Sequence, residues 1–109
     1  MKAEPVIHVK HFFDDGSIVE MVIWRLPKAD QERPHALKYR LYYGKGGKCL
    51  VRYDNEKGKG DHRHVLDAHG NAREETYTFV SVKQLLADFK ADIDIIRAKG
   101  EHHGQGQKG

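Results

Sequence analysis

Long apolar runs, thiols and strong charge are all scarce in this chain, and each scarcity narrows what it can be. No stretch approaches the roughly 20 apolar residues of a membrane-spanning helix, so no such span is expected. The opening Met1-Lys2-Ala3-Glu4-Pro5 leads into only a few apolar residues and does not read as a secretory signal. A single cysteine, Cys49, excludes an internal disulfide framework and suits a reducing compartment. The expectation is a cytoplasmic protein. Paired thiols and a helical His-Glu zinc motif are missing too, which removes the commonest metal signatures. The formal net charge of +3 is too mild to declare a nucleic-acid binder by itself.

What is present is the material of one folded domain. The 109 residues are 39% hydrophobic and 32% charged, enough to bury a core without disulfides or a metal. The basic excess sits in residues 1–53, with ten Lys and Arg against six Asp and Glu; residues 54–109 carry nine against ten. We find no internal repeat and no second domain, and expect one domain over 1–100 and a disordered tail over 101–109.

Val6 to Phe13 and Ile18 to Leu26 flank Asp14-Asp15-Gly16-Ser17, and read as a β-hairpin. Both strands are apolar on much of both faces, so one or both should lie centrally or beneath a helix. A polar loop, Pro27 to His35, follows. Leu37, Tyr39, Leu41 and Tyr43 then alternate with Lys38, Arg40 and Tyr42, predicting a strand with one apolar and one basic face. Gly44 to Gly47 turns this strand into Lys48 to Asp54, where Cys49, Val51 and Tyr53 share a face. Residues 55–75 show no periodicity and read as a long loop, with Thr76 to Val80 as a short last strand. Ser81 and Gln84 form a capping-box pattern ahead of Val82, Leu85, Leu86, Phe89, Ile93 and Ile96 at helical spacing. Gly100 is the expected stop. The fold class is therefore α+β: an antiparallel sheet of four to five strands with one long C-terminal helix packed on one face.

The chemistry concentrates in Arg52 to His64. His62 and His64 are two residues apart, so extended backbone would turn both to one side, and imidazoles titrate near neutrality. They could act as acid and base in metal-free RNA cleavage, with either order open. Asp61 would orient an imidazole, with Asp54 in support. Arg52, Lys57, Lys59 and Arg63 would hold the phosphate, with Arg40 and Lys38 on the same basic face. No metal or other cofactor is expected. Two alternatives stand beside this one: a solvated, salt-bridged loop, and a metal site made by His62 and His64 with Asp61 or Asp54. Cys49 reads as a small core residue, and His8, His11 and His35 as isolated. Gly58-Lys59-Gly60 lacks the strand and helix of a phosphate-binding loop.

Arg52-Tyr53-Asp54-Asn55, the string Gly58-Lys59-Gly60-Asp61-His62-Arg63-His64, and Tyr77 to Ser81 leading into Gln84 to Phe89 together resemble the TumE-like toxins of bacterial type II toxin–antitoxin systems. The likeness covers roughly residues 6–97. It implies a helix-turn-helix antitoxin as partner and, by analogy with other toxins of this size, RNA as target; a homodimer is also open. The alternative function is a non-catalytic module that binds RNA, the ribosome or a protein through its basic face.

Overall fold

A computed structural model describes residues 3–31, 33–55, 60–66 and 70–105. Among the described residues six strands, β1 (Glu4–Phe12), β2 (Ser17–Arg25), β3 (Leu37–Lys45), β4 (Lys48–Asp54), β5 (His62–Leu66) and β6 (Ala72–Thr76), precede one helix, α1 (Val82–Gln105). The strands pair antiparallel in chain order, so the sheet is a meander with β1 and β6 at its edges. α1 lies across β4 on one face. The expected α+β architecture is correct, with six strands in place of four to five.

The hairpins form where the turn residues demand them. Gly16, at φ 89°, closes β1 onto β2, and Asp15 Oδ1 accepts the Ser17 amide at 2.8 Å. Gly46 and Gly47, at φ 59° and 79°, make the two-residue link between β3 and β4 that right-twisted strands favour. β2 lies inside the sheet, with Val19 and Ile23 buried, whereas β1 is an edge and leaves Val6, Val9 and Phe12 exposed.

The alternation in β3 sorts its two faces as predicted. Leu37, Tyr39, Leu41 and Tyr43 are buried, and Val51 and Tyr53 of β4 join them beneath Leu85, Phe89 and Ile93 of α1. Each such side chain, taken from water, contributes about 1.5–3 kcal/mol. Cys49 departs from the expected pattern. The β3–β4 register shifts between Tyr43 and Gly44, which places Cys49 opposite Gly44 and in a cavity of about 130 Å³ with Arg52, His64 and Leu66. It is therefore not a core partner of Val51 and Tyr53.

The largest correction concerns 55–75, where a hairpin stands in place of the expected loop. β5 and β6 carry little apolar periodicity because charge alternates instead. Arg63 faces Glu75 across the strands and His64 faces Glu74. Opposite charges at facing positions stabilise a ladder as apolar pairs do. Thr76 ends β6, so the expected strand Thr76 to Val80 is a connection; its Tyr77 and Phe79 pack inward on Tyr53 and His35.

The helix begins as expected, with the Ser81 hydroxyl accepting the Gln84 amide at 3.0 Å. The other half of the capping box is diverted, because Gln84 Nε2 donates to Asp88. α1 runs through Gly100 to Gln105. A glycine inside a helix costs about 1 kcal/mol relative to alanine and does not forbid the turn. Residues 106–109 of the expected tail lie outside the described residues.

Candidate active site on the open face of the sheet

The face turned away from α1 is built from the residues that alternate with the core. Register carries two rows across it. One runs Lys10, Glu20, Tyr42, Arg52, His64, Glu74 from β1 to β6; the other runs His8, Val22, Arg40, Asp54, His62, Thr76. Because side chains alternate along a strand, the β3, β4 and β5 members of both rows share one surface.

His62 and His64 stand side by side on β5, ring centroids 5.2 Å apart, as their spacing predicts for extended backbone. Their surroundings differ. His62 is 7% exposed; its Nδ1 lies 3.0 Å from the Gly60 carbonyl and its Nε2 lies 2.7 Å from Asp54 Oδ1. Both partners only accept, so the imidazolium, with two N–H donors, satisfies both. His64 Nε2 instead lies 2.9 Å from Arg52 Nη2, a group that only donates. The lone pair is therefore on Nε2 and the ring is neutral. Burial, then the charge of Arg52, hold the His64 pKa below its ordinary value against the opposing pull of Glu74. One imidazole thus faces acceptors at both ring nitrogens and its neighbour faces a donor, an asymmetry that suits an acid–base pair.

Asp54, and not Asp61, is the aspartate in contact with the histidine pair. It is 4% exposed, holds His62, and lies 3.0 Å from Arg52 Nε through Oδ2. Asp61 turns away from both histidines. Its carboxylate accepts from His35 Nε2 at 2.9 Å and from the Tyr39 hydroxyl at 2.8 Å, while its carbonyl accepts the Tyr77 amide at 3.0 Å. The Leu37 amide donates to His35 Nδ1, which leaves the His35 proton on Nε2 for Asp61. Burial, with Asp61 adding, pushes the Tyr39 phenol up and keeps it a donor. Asp61 thus pins the entry of β5, and His35 is not the isolated residue its sequence context suggests.

Arg63 lies on the other face, beneath α1. It donates to Glu75 Oε2 at 2.6 Å, to the Tyr53 hydroxyl at 3.0 Å and to Asp92 Oδ2 at 3.2 Å. Burial works against its charge, but Tyr53 and Glu75 outweigh that and hold the guanidinium above its ordinary range. A residue expected on a phosphate is a structural tie between sheet and helix. Arg52, Arg40 and Lys38 do reach the open face, with the Arg40 guanidinium 5.2 Å from the Tyr42 ring centre. Lys57 and Lys59 lie outside the described residues.

Sequence reasoning missed Glu74, which lies 3.4 Å from His64 Nε2 and 3.6 Å from His62 Nε2. These three residues offer ligand atoms within 4.8 Å of one another, a spacing that can hold a divalent cation. The Arg52 guanidinium against His64 Nε2 sets a positive charge where such an ion would sit. Burial raises the Cys49 thiol pKa against the pull of Arg52 and Arg40, which disfavours the thiolate.

A family model described as "Toxin TumE" matches residues 2–97. No curated protein and no solved structure matches the chain. Among the described residues, no helix is long and apolar enough to cross a membrane.

Proposed function

The chain belongs to the toxin TumE family, and from that premise we propose that it is a cytoplasmic endoribonuclease toxin acting without a metal. A toxin family implies an antitoxin partner, which we take to be a helix-turn-helix protein. The observation that carries the nuclease reading is the histidine pair on an open, basic sheet face, one ring poised to donate a proton and the other to accept one.

In this reading His64 Nε2 takes the proton of a 2′-hydroxyl, and the 2′-oxygen forms a bond to the adjacent phosphorus. The P–O5′ bond breaks with its electron pair on O5′, which receives the His62 Nε2 proton. The products are a 2′,3′-cyclic phosphate and a 5′-hydroxyl. Asp54 holds His62 in place until the leaving oxygen competes for its proton. Arg52, with Arg40 beside it, supplies positive charge to the phosphate as it gains electrons.

The test is induction of the chain in a bacterial host beside His62→Ala and His64→Ala. Growth arrest should come with new RNA 5′ ends that ligate only after phosphorylation, and both variants should lose both effects. Arrest and identical ends in both histidine variants would sink the mechanism. The His62, His64 and Glu74 cluster favours one rival, a metal-dependent nuclease. Cleavage by purified protein that survives a chelator dismisses it; cleavage restored only by a divalent ion establishes it.

A further inference from the structure

The open face carries large aromatic side chains that neither the core nor the histidine site explains, Phe12 on the edge strand and Trp24 on β2. Trp24 lies on β2, opposite in direction to buried Ile23, and keeps 37% of its surface exposed. Lys38 faces it directly across β2–β3, and Arg40 is the next residue of β3 on that side. Trp24, Lys38 and Arg40 with Val22 and Tyr39 line a hollow of about 200 Å³. Arg40 pairs with Asp54 and Asp54 with His62, so the hollow lies on the same surface as the proposed chemistry. Three strand spacings and one two-residue step put Trp24 roughly 16 Å from His62.

An apolar ring flanked by two cations has the character of a nucleotide subsite: the base stacks on the indole, and the phosphates beside it meet Lys38 and Arg40. A base buried in a duplex cannot present its face to a side chain, whereas a splayed base on a sheet-borne aromatic is how sheet domains read single strands. We propose that Trp24, Lys38 and Arg40 form a base-stacking subsite that selects single-stranded RNA, holding a nucleotide a few positions from the bond that is cut. This rests on the nuclease reading for its link to the histidines, while the subsite itself is tested without cleavage.

Trp24 is the chain's only tryptophan, so its emission reports on this position alone. The double variant His62→Ala/His64→Ala, which leaves the RNA intact, is titrated with an unlabelled mixed-sequence single-stranded RNA dodecamer and with the matching duplex. The single strand should quench the emission to saturation and the duplex should not. In the same background, Trp24→Leu should weaken binding of the dye-labelled strand by roughly five- to a hundred-fold in anisotropy, and Trp24→Phe should restore most of it. Binding without quenching, equal affinity in Trp24→Leu, or no RNA binding at all would each overturn the subsite. Quenching by an antitoxin with no response to RNA would overturn it in favour of a protein interface. If the otherwise unaltered chain cuts RNA and Trp24→Leu leaves KM unchanged, this inference falls and the nuclease reading stands. If quenching occurs but the chain with its histidines intact cuts nothing, the reverse holds.

Discussion

Two arginines eleven positions apart in the chain face opposite ways, and exchanging each for methionine should separate stability from catalysis. Met keeps much of the side-chain stem and removes the charge. Arg63→Met deletes the bonds to Glu75, Tyr53 and Asp92. Glu75 is 38% exposed, so screening limits that pair to about 0–1 kcal/mol. Asp92 is only 16% exposed, and a hydrogen bond to a charged group there contributes about 1.5–3 kcal/mol. The loss is about 1.5–4 kcal/mol, which in a domain of this size lowers Tm by about 6–16 °C. Cleavage measured well below that Tm should stay within about two-fold of the original chain, the size of an uncoupled effect. Arg52→Met should do the opposite and cut kcat/KM by about 10²-fold, the cost of removing one transition-state donor. Thermal unfolding followed by circular dichroism, two-state in a domain of this size, and cleavage of a labelled RNA well below the Tm together read both. If Arg63→Met kept its Tm and lost cleavage, the assignment of Arg63 to the helix face would be wrong.

The pH profile tests the proton states. His64 must be neutral to accept a proton, so activity falls as pH drops through a pKa that burial, and then Arg52, hold below 6.5. Arg52→Gln removes the charge that disfavours protonation, so the His64 pKa rises and the acid limb moves to higher pH; NMR titration of the imidazole checks the sign, and a downward shift contradicts it. Asn55, 1% exposed, accepts the Tyr39 amide at 3.0 Å and donates to the Leu37 carbonyl at 2.7 Å. Asn55→Leu leaves two buried backbone groups unpaired and should cost about 2–5 kcal/mol in urea unfolding; an unchanged midpoint would show that water or another group replaces the side chain.

What could be read from the chain was what period and turn chemistry encode. Leu37 to Tyr43 announced its two faces because every second residue is apolar, and the Asp-Gly and Gly-Gly turns announced their hairpins. β5 and β6 were hidden because their alternation lies in charge: Arg63 seeks Glu75 on one side and His64 meets Glu74 on the other. A hydrophobicity pattern does not register such a pair. The same blindness put Arg63 on the phosphate and left Glu74 out. His62 and His64 could be found together because two residues of spacing suffice, but Asp54 and Asp61 could not be told apart. Their roles are decided by His35 and Tyr39, 26 and 22 residues away from Asp61 in the chain. Trp24 carried no local signal, since an isolated tryptophan in an apolar strand reads as core.

The meander has a consequence for when the protein becomes dangerous. Each strand pairs with its neighbour in sequence, so a chain leaving the ribosome can add one hairpin at a time with little loop-closure entropy to overcome. β1 to β4 come first and make a platform. His62, His64 and Glu74 belong to the last two strands, and the helix that covers the core begins only at Val82. The proposed site is therefore completed only after β1 to β4 have been made, and the tie from Arg63 to Asp92 must wait for the helix. A toxin arranged this way builds its scaffold before the strands that carry its candidate site.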